Sequence, residues 1–171
     1  MHNTWLGEGD GFASLVDPTD YRVVYMVNHV GFAMRLNFET REPTFITPTP
    51  ETVVNFADYS DVGYEETPIR YTISPGEHWF GYGRPNRPLM PPHFRFNWDS
   101  PLTMSPANPR TLYFAGNHVF KSVDRGDTWR IISPDLTTNN PALRNPSKQG
   151  GLSREVTGGK NHFTTFDVRE S

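Results

Sequence analysis

Carboxylates are the first side chains in this sequence that could do chemistry. Cleaving a glycosidic bond takes two of them, roughly 5 to 10 Å apart, one with its pKa raised to serve as the acid. Asp10, Asp17, Asp58, Asp61, Asp99 and Asp135 are available. Asp99 has the most site-like setting, in Asn97-Trp98-Asp99, where an aromatic face and an amide flank the acid. It is the single candidate for a catalytic acid or base, and no catalytic pair is assignable. Asp17 reads as a turn former, because Ser105 fills the matching slot of a second segment. Asp135 reads as a turn cap in Ser133-Pro134-Asp135-Leu136.

Aromatic rings offer a second chemistry. Trp79, Phe80 and Tyr82, set beside Gly81 and Gly83, place flat apolar faces on a loop, and such faces suit the stacking of sugar rings. The same rings could instead anchor a Pro-rich loop to the body of the fold, and that is the favoured reading. Trp79, Tyr82, Arg95 and Trp98 are the ligand-binding candidates. The six His residues, His2, His29, His78, His93, His118 and His162, lack metal-ligand spacing and read as solvated or hydrogen-bonded. Neither a metal nor a cofactor is expected. There is no Gly-x-Ser-x-Gly nucleophile elbow, and Gly7-Glu8-Gly9-Asp10-Gly11 lacks the spacing of a phosphate loop.

Short strands must position these residues. Asp17-Pro18-Thr19-Asp20-Tyr21-Arg22-Val23-Val24-Tyr25 matches Ser105-Pro106-Ala107-Asn108-Pro109-Arg110-Thr111-Leu112-Tyr113, 88 positions apart. Apolar-alternating segments precede the copies, Phe12 to Val16 and Leu102 to Met104. Ala33-Met34-Arg35-Leu36 and Val119-Phe120-Lys121-Ser122 follow, and then Thr44-Phe45-Ile46 and Thr128-Trp129-Arg130-Ile131-Ile132. Each copy reads as strand, Pro-containing turn, strand with an inward Tyr, short turn, third strand and fourth strand. Four antiparallel strands per unit is the blade of a β-propeller. The expected organisation is a blade at 12–46, a Pro-rich insertion at 47–94 with a small strand at Ile69 to Ile73, and a second blade at 95–137. An irregular connection follows at 138–161, and a further blade starts at 162–171. The chain is expected to be an incomplete propeller, cut between a first strand and its turn.

Bulk properties agree. Gly (14) and Pro (16) make about 18% of the 171 residues, against about 12% ordinarily, and aromatics reach 13%. With a net charge of −3 and no basic stripe, no nucleic-acid partner is expected. No apolar run approaches the ~20 residues that span a bilayer. With no Cys, neither a disulfide framework nor thiolate chemistry is open. The N-terminal segment shows no signal-peptide pattern.

Ser122-Val123-Asp124-Arg125-Gly126-Asp127-Thr128-Trp129 is the most specific motif. In S-x-D-x-G-x-T-W, the Ser and Asp side chains can bond the turn backbone, Gly supplies a positive φ, and Trp buries a large ring. Its role is structural, a folding device on the outer edge of the blade. This is the Asp-box pattern, and with it the chain resembles the sortilin-type, bacterial-neuraminidase-repeat (Asp-box) propellers, in their bacterial form often labelled glycosyl hydrolases. Gly9-Asp10-Gly11-Phe12, Arg95-Phe96-Asn97-Trp98-Asp99-Ser100-Pro101, Leu112-Tyr113-Phe114-Ala115-Gly116, Ile132-Ser133-Pro134-Asp135-Leu136-Thr137, Gly150-Gly151-Leu152 and Arg169-Glu170-Ser171 extend the resemblance.

The resemblance implies an all-β propeller within a much longer protein, exported to the periplasm or beyond. Its members bind ligands or, in related xyloglucanases, cleave polysaccharides with two Asp residues. Eukaryotic sortilins carry disulfides, so a Cys-free chain argues against a sortilin-type receptor. The expected function is a non-catalytic binding or scaffold segment with a polysaccharide or protein ligand, partnered by the rest of its own propeller. The alternative is part of a glycoside hydrolase. A subunit that closes a ring by oligomerising is a third reading.

Overall fold

Strand alternation and turn residues organise the chain into two four-stranded antiparallel sheets. The computed structural model describes residues 12–59, 94–140 and 164–171. Sheet 1 has the order β1 (Ser14–Val16), β2 (Val23–Asn28), β3 (Phe32–Asn37), β4 (Pro43–Phe45). Sheet 2 has the order β5 (Leu102–Met104), β6 (Leu112–Ala115), β7 (Val119–Ser122), β8 (Arg130–Ile131). Every neighbouring pair is antiparallel. Short 3-10 turns lie at His29–Gly31 and Phe56–Tyr59. Among the described residues, no helix is long and apolar enough to cross a membrane.

The period of two decides which residues meet. In sheet 1, Tyr25 pairs with Leu15 on one side and with Arg35 on the other. Val23, Tyr25, Val27 and Ala33 project to one face and share a core with Leu102, Leu112, Phe114, Phe120 and Ile131 of sheet 2. Val24, Met26 and Leu36 project to the opposite face and form a smaller cluster of their own. The Tyr face of sheet 1 therefore packs on the Leu112/Phe114 face of sheet 2. On the far side of sheet 2, Tyr113 pairs with Thr103 and Lys121.

Open edges are guarded in two ways. In sheet 1, β4 begins with Pro43, which cannot donate to a ladder. In sheet 2, β8 is flanked by the chain at 52–55. Val53 forms a parallel bridge with Trp129, the Trp129 amide donates to Thr52 at 2.8 Å, and the Val54 amide donates to Trp129 at 2.8 Å. The Asn55 side chain completes the edge, accepting from the Ile131 amide at 2.9 Å and donating to the Ile131 carbonyl at 3.0 Å.

These contacts also explain where the elements depart from the sequence expectation. The fourth strand of sheet 2, expected over Thr128 to Ile132, is only Arg130–Ile131, because Thr128 is bonded into the preceding turn and Trp129 pairs with 52–54. Residues 52–55, expected in an insertion, form part of the border of sheet 2. The strand-like alternation of His162 to Val168 does not become a strand within 164–171. That segment is held against sheet 2 by single bonds, Thr165 amide to Gly116 carbonyl and Thr103 hydroxyl to Val168 carbonyl, both 2.8 Å. The expected strand at Ile69 to Ile73 lies outside the described residues.

Asn55 supplies a test of edge capping. Asn55→Ala removes both bonds to Ile131 and is expected to cost about 1–3 kcal/mol in urea unfolding. A midpoint matching the unsubstituted chain would show that the side chain contributes nothing to closing the edge.

Candidate functional site

The turn between β7 and β8 is built by its own side chains. The Ser122 hydroxyl accepts from the amides of Gly126 at 2.8 Å and Asp124 at 3.3 Å, and donates to Asp124 Oδ1 at 2.7 Å. Asp124 in turn accepts from the Thr128 amide at 2.9 Å and the Thr128 hydroxyl at 2.6 Å. Burial would push the Asp124 carboxyl up, but the bonds from Thr128 and Ser122 outweigh it and hold the group below the usual carboxylate range. Arg125 and Gly126 both take positive φ, 65° and 92°. Trp129 is buried, and its indole N–H donates to the Ile46 carbonyl at 2.7 Å.

The turn lies against sheet 1. Gly126 seats on Ile46 so closely that a Cβ would come within 2.9 Å of it. Arg125 Nε donates to Asp17 Oδ2 at 2.9 Å, while the Asp17 side chain is fully buried. Arg35 donates to the Arg125 carbonyl at 2.9 Å and forms an ion pair with Asp127 at 3.0 Å. Asp17 also accepts from the amide and hydroxyl of Thr19, at 2.8 and 2.6 Å. Burial raises the Asp17 pKa, and the bonds from Thr19 and Arg125 more than reverse it. Beside this pair, burial and the Asp17 charge push the Tyr25 phenol up to about 12.

The candidate residues at the other end of the sheets are also packed. Trp98 is half-buried and stacks on His29, ring centroids 3.8 Å apart, with the Phe12 ring edge-on at 6.0 Å. Arg95 forms an ion pair with Asp135 and donates to the Thr137 hydroxyl at 3.0 Å. Asp135 also accepts from the Thr137 amide and hydroxyl, at 2.9 and 2.6 Å. Its burial raises the pKa, and the bonds from Thr137 and Arg95 outweigh that and lower it. Asp99 is exposed, with its amide donating to Asn97 Oδ1 at 3.3 Å. The structure thus brings Arg95 to Asp135 and Trp98 to His29. Trp79 and Tyr82 lie outside the described residues, as do Asp10 and Asp61.

The pairing of two turn residues and the burial of two His residues escaped the sequence reading. Arg125 and Asp127 occupy variable positions of the turn motif, and their partners Asp17 and Arg35 lie about a hundred residues earlier. His118, expected as solvated or hydrogen-bonded, is of the second kind and lies buried among Tyr59, Phe94 and Phe120. Its Nδ1 lies 3.2 Å from the Ser133 carbonyl and so carries the proton. His29 is likewise buried. Among the described residues, no group of three His, Asp or Glu side chains could hold a metal ion. No protein-family model, curated protein or solved structure matches the chain.

The lowered carboxylates set an acid dependence. A carboxylate whose folded pKa is depressed supplies stability that is complete above its unfolded value, about 4, and is lost as pH falls through the folded value. Unfolding free energy is therefore expected to fall as pH drops below about 4. Arg125→Ala, which leaves Asp17 buried with Thr19 alone, is expected to cost about 2–3 kcal/mol at pH 7 and to flatten that dependence. Urea titrations at neutral and acidic pH measure both, and an unchanged slope in the variant would remove the Asp17–Arg125 pair from the account.

Proposed function

We propose that this chain is a non-catalytic scaffold and binding segment of a larger exported bacterial β-propeller of the Asp-box kind, with each four-stranded sheet serving as one blade. The observation that carries the reading is the way the sheets stack. The Tyr25 face of sheet 1 lies on the Leu112/Phe114 face of sheet 2, so each sheet offers one face forward and a different one backward. Such head-to-tail contacts propagate through successive units and close a ring when the rotation between units allows it. The acidic side chains support the non-catalytic half of the reading. Asp17, Asp124 and Asp135 are engaged in turns and ion pairs that favour their charged forms, whereas a glycosidase acid needs its pKa raised.

The ligand would be a polysaccharide or a protein, taken at the Trp98 end, where a partly exposed ring adjoins the exposed Asp99. The same pair favours the second reading, part of a glycoside hydrolase with Asp99 as acid or base. Calorimetric titration with soluble β-glucans, alongside a reducing-end assay, separates the two. The scaffold reading expects saturable binding that weakens about tenfold or more in Trp98→Ala, with no reducing ends above background. Reducing ends produced by the chain and lost in Asp99→Asn would transfer the assignment to the hydrolase. An absence of binding would remove the polysaccharide and leave the protein ligand.

A further inference from the structure

One tight turn presents the exposed chemistry of the Trp98 end. Phe96, just before it, packs so closely on Gly31 and Gly116 that a Cβ at those positions would come 2.3 and 2.9 Å from its ring. Asn97 and Ser100, the outer residues of the turn, are buried. Asn97 Oδ1 accepts from the Asp99 amide at 3.3 Å, and the Asn97 carbonyl accepts from the Ser100 hydroxyl at 3.1 Å. Between these anchors Trp98 is half-buried and Asp99 is exposed. His29 stacks on one face of the indole and Phe12 meets it edge-on, so an incoming group can reach only the opposite face and the free rim. The ring is thus held in place before any ligand arrives, which lowers the cost of binding.

Three groups are offered to a ligand there. The open face of the indole carries the negative side of the ring quadrupole, which attracts a cation, and its flat apolar area suits the C–H face of a sugar. The indole N–H makes no hydrogen bond among the described residues, and the Asp99 carboxylate forms no ion pair among them. A carboxylate beside an aromatic face favours a cation on both counts and repels an anion. The indole N–H narrows the choice further. Lysine and arginine side chains have no acceptor to offer it, whereas the hydroxyls of a sugar do.

We infer that the Trp98–Asp99 turn is a site for an amino sugar, a pyranose carrying a protonated amine, within a polysaccharide. The C–H face of the sugar lies on Trp98, the ammonium meets Asp99, and a hydroxyl accepts from the indole N–H. The inference rests on the polysaccharide reading of the same end and adds to it the charge of the sugar.

The test is calorimetric titration of the 171-residue chain with two oligomers of equal length and linkage, β-linked glucosamine and β-linked glucose, at a pH at which the amines are charged. The glucosamine oligomer is expected to bind about tenfold more tightly, and Asp99→Asn to erase that difference. Added salt is expected to weaken the glucosamine oligomer and to leave the glucose oligomer unmoved, a readout that needs no variant. Trp98→Phe, which keeps a ring and removes the N–H, is expected to weaken both oligomers. A preference that survives Asp99→Asn overturns the inference, because it would then come from the net charge of −3 and not from this turn. Equal binding of the two oligomers overturns it as well and leaves the polysaccharide reading standing, whereas binding of neither removes both. A lysine-rich peptide that binds as tightly as the glucosamine oligomer, and is indifferent to Trp98→Phe, overturns it in favour of a basic protein segment.

Discussion

At the seam between the two sheets, the fully buried Asp17 carboxylate meets the Arg125 guanidinium. Burying such a charge is costly unless donors replace the water it loses, and here Thr19 supplies two and Arg125 a third. Arg125 and Gly126 adopt consecutive positive φ values in the turn that presents the guanidinium to Asp17. Ser122 and Asp124 hold that conformation with bonds made entirely inside the turn. Local chemistry thus fixes the turn, the turn aims Arg125 and Asp127 across the seam, and the seam lets one apolar core serve both sheets.

The same logic accounts for the quiet chemistry of the acids. A carboxylate becomes a proton donor at neutral pH when burial or a like charge goes uncompensated. At Asp17, Asp124 and Asp135 burial is present but is overridden by hydroxyl, amide and guanidinium donors. Each of these residues has a Thr two or four positions later that supplies both a backbone and a side-chain donor. An Asp followed by a nearby Thr serves here as a turn clasp, and Asp135 adds Arg95 to bind the segment after β8 to the segment before β5.

What the sequence disclosed follows from the range of the forces involved. The Tyr-bearing strands β2 and β6 could be read because alternation and β-branched residues act over a few positions. The turn at 122–129 could be read because the Ser122 and Asp124 bonds that shape it lie within eight residues. Arg125 with Asp17, Arg35 with Asp127, and Asn55 with Ile131 could not, since their separations are set by how two sheets meet. Nothing near Asn55 announces that its amide will complete a strand edge. The shortening of β8 has the same origin: Trp129 has strong strand character, yet its backbone bonds go to 52–54. Of the candidate site, the Asp135 turn cap was legible locally, while the stacking of Trp98 on His29 joins residues far apart in sequence and was not.

Equivalent positions with different chemistry give the two Tyr faces different preferences. At one, Asp17 accepts a guanidinium; at the other, the matching residue Ser105 is neutral and Lys121 lies over the Tyr113 ring, so a guanidinium arriving there would meet a cation and no matching carboxylate. Discrimination between alternatives comes as much from such misfits as from good contacts. Glu170, bound by Tyr113 and Ser105, illustrates the preference of the second face for a negative group. Two sheets with the same strand order therefore differ in the charge beside their Tyr residues. The apolar residues let the two sheets share one core, and the polar residues beside each Tyr give the two faces different chemistry.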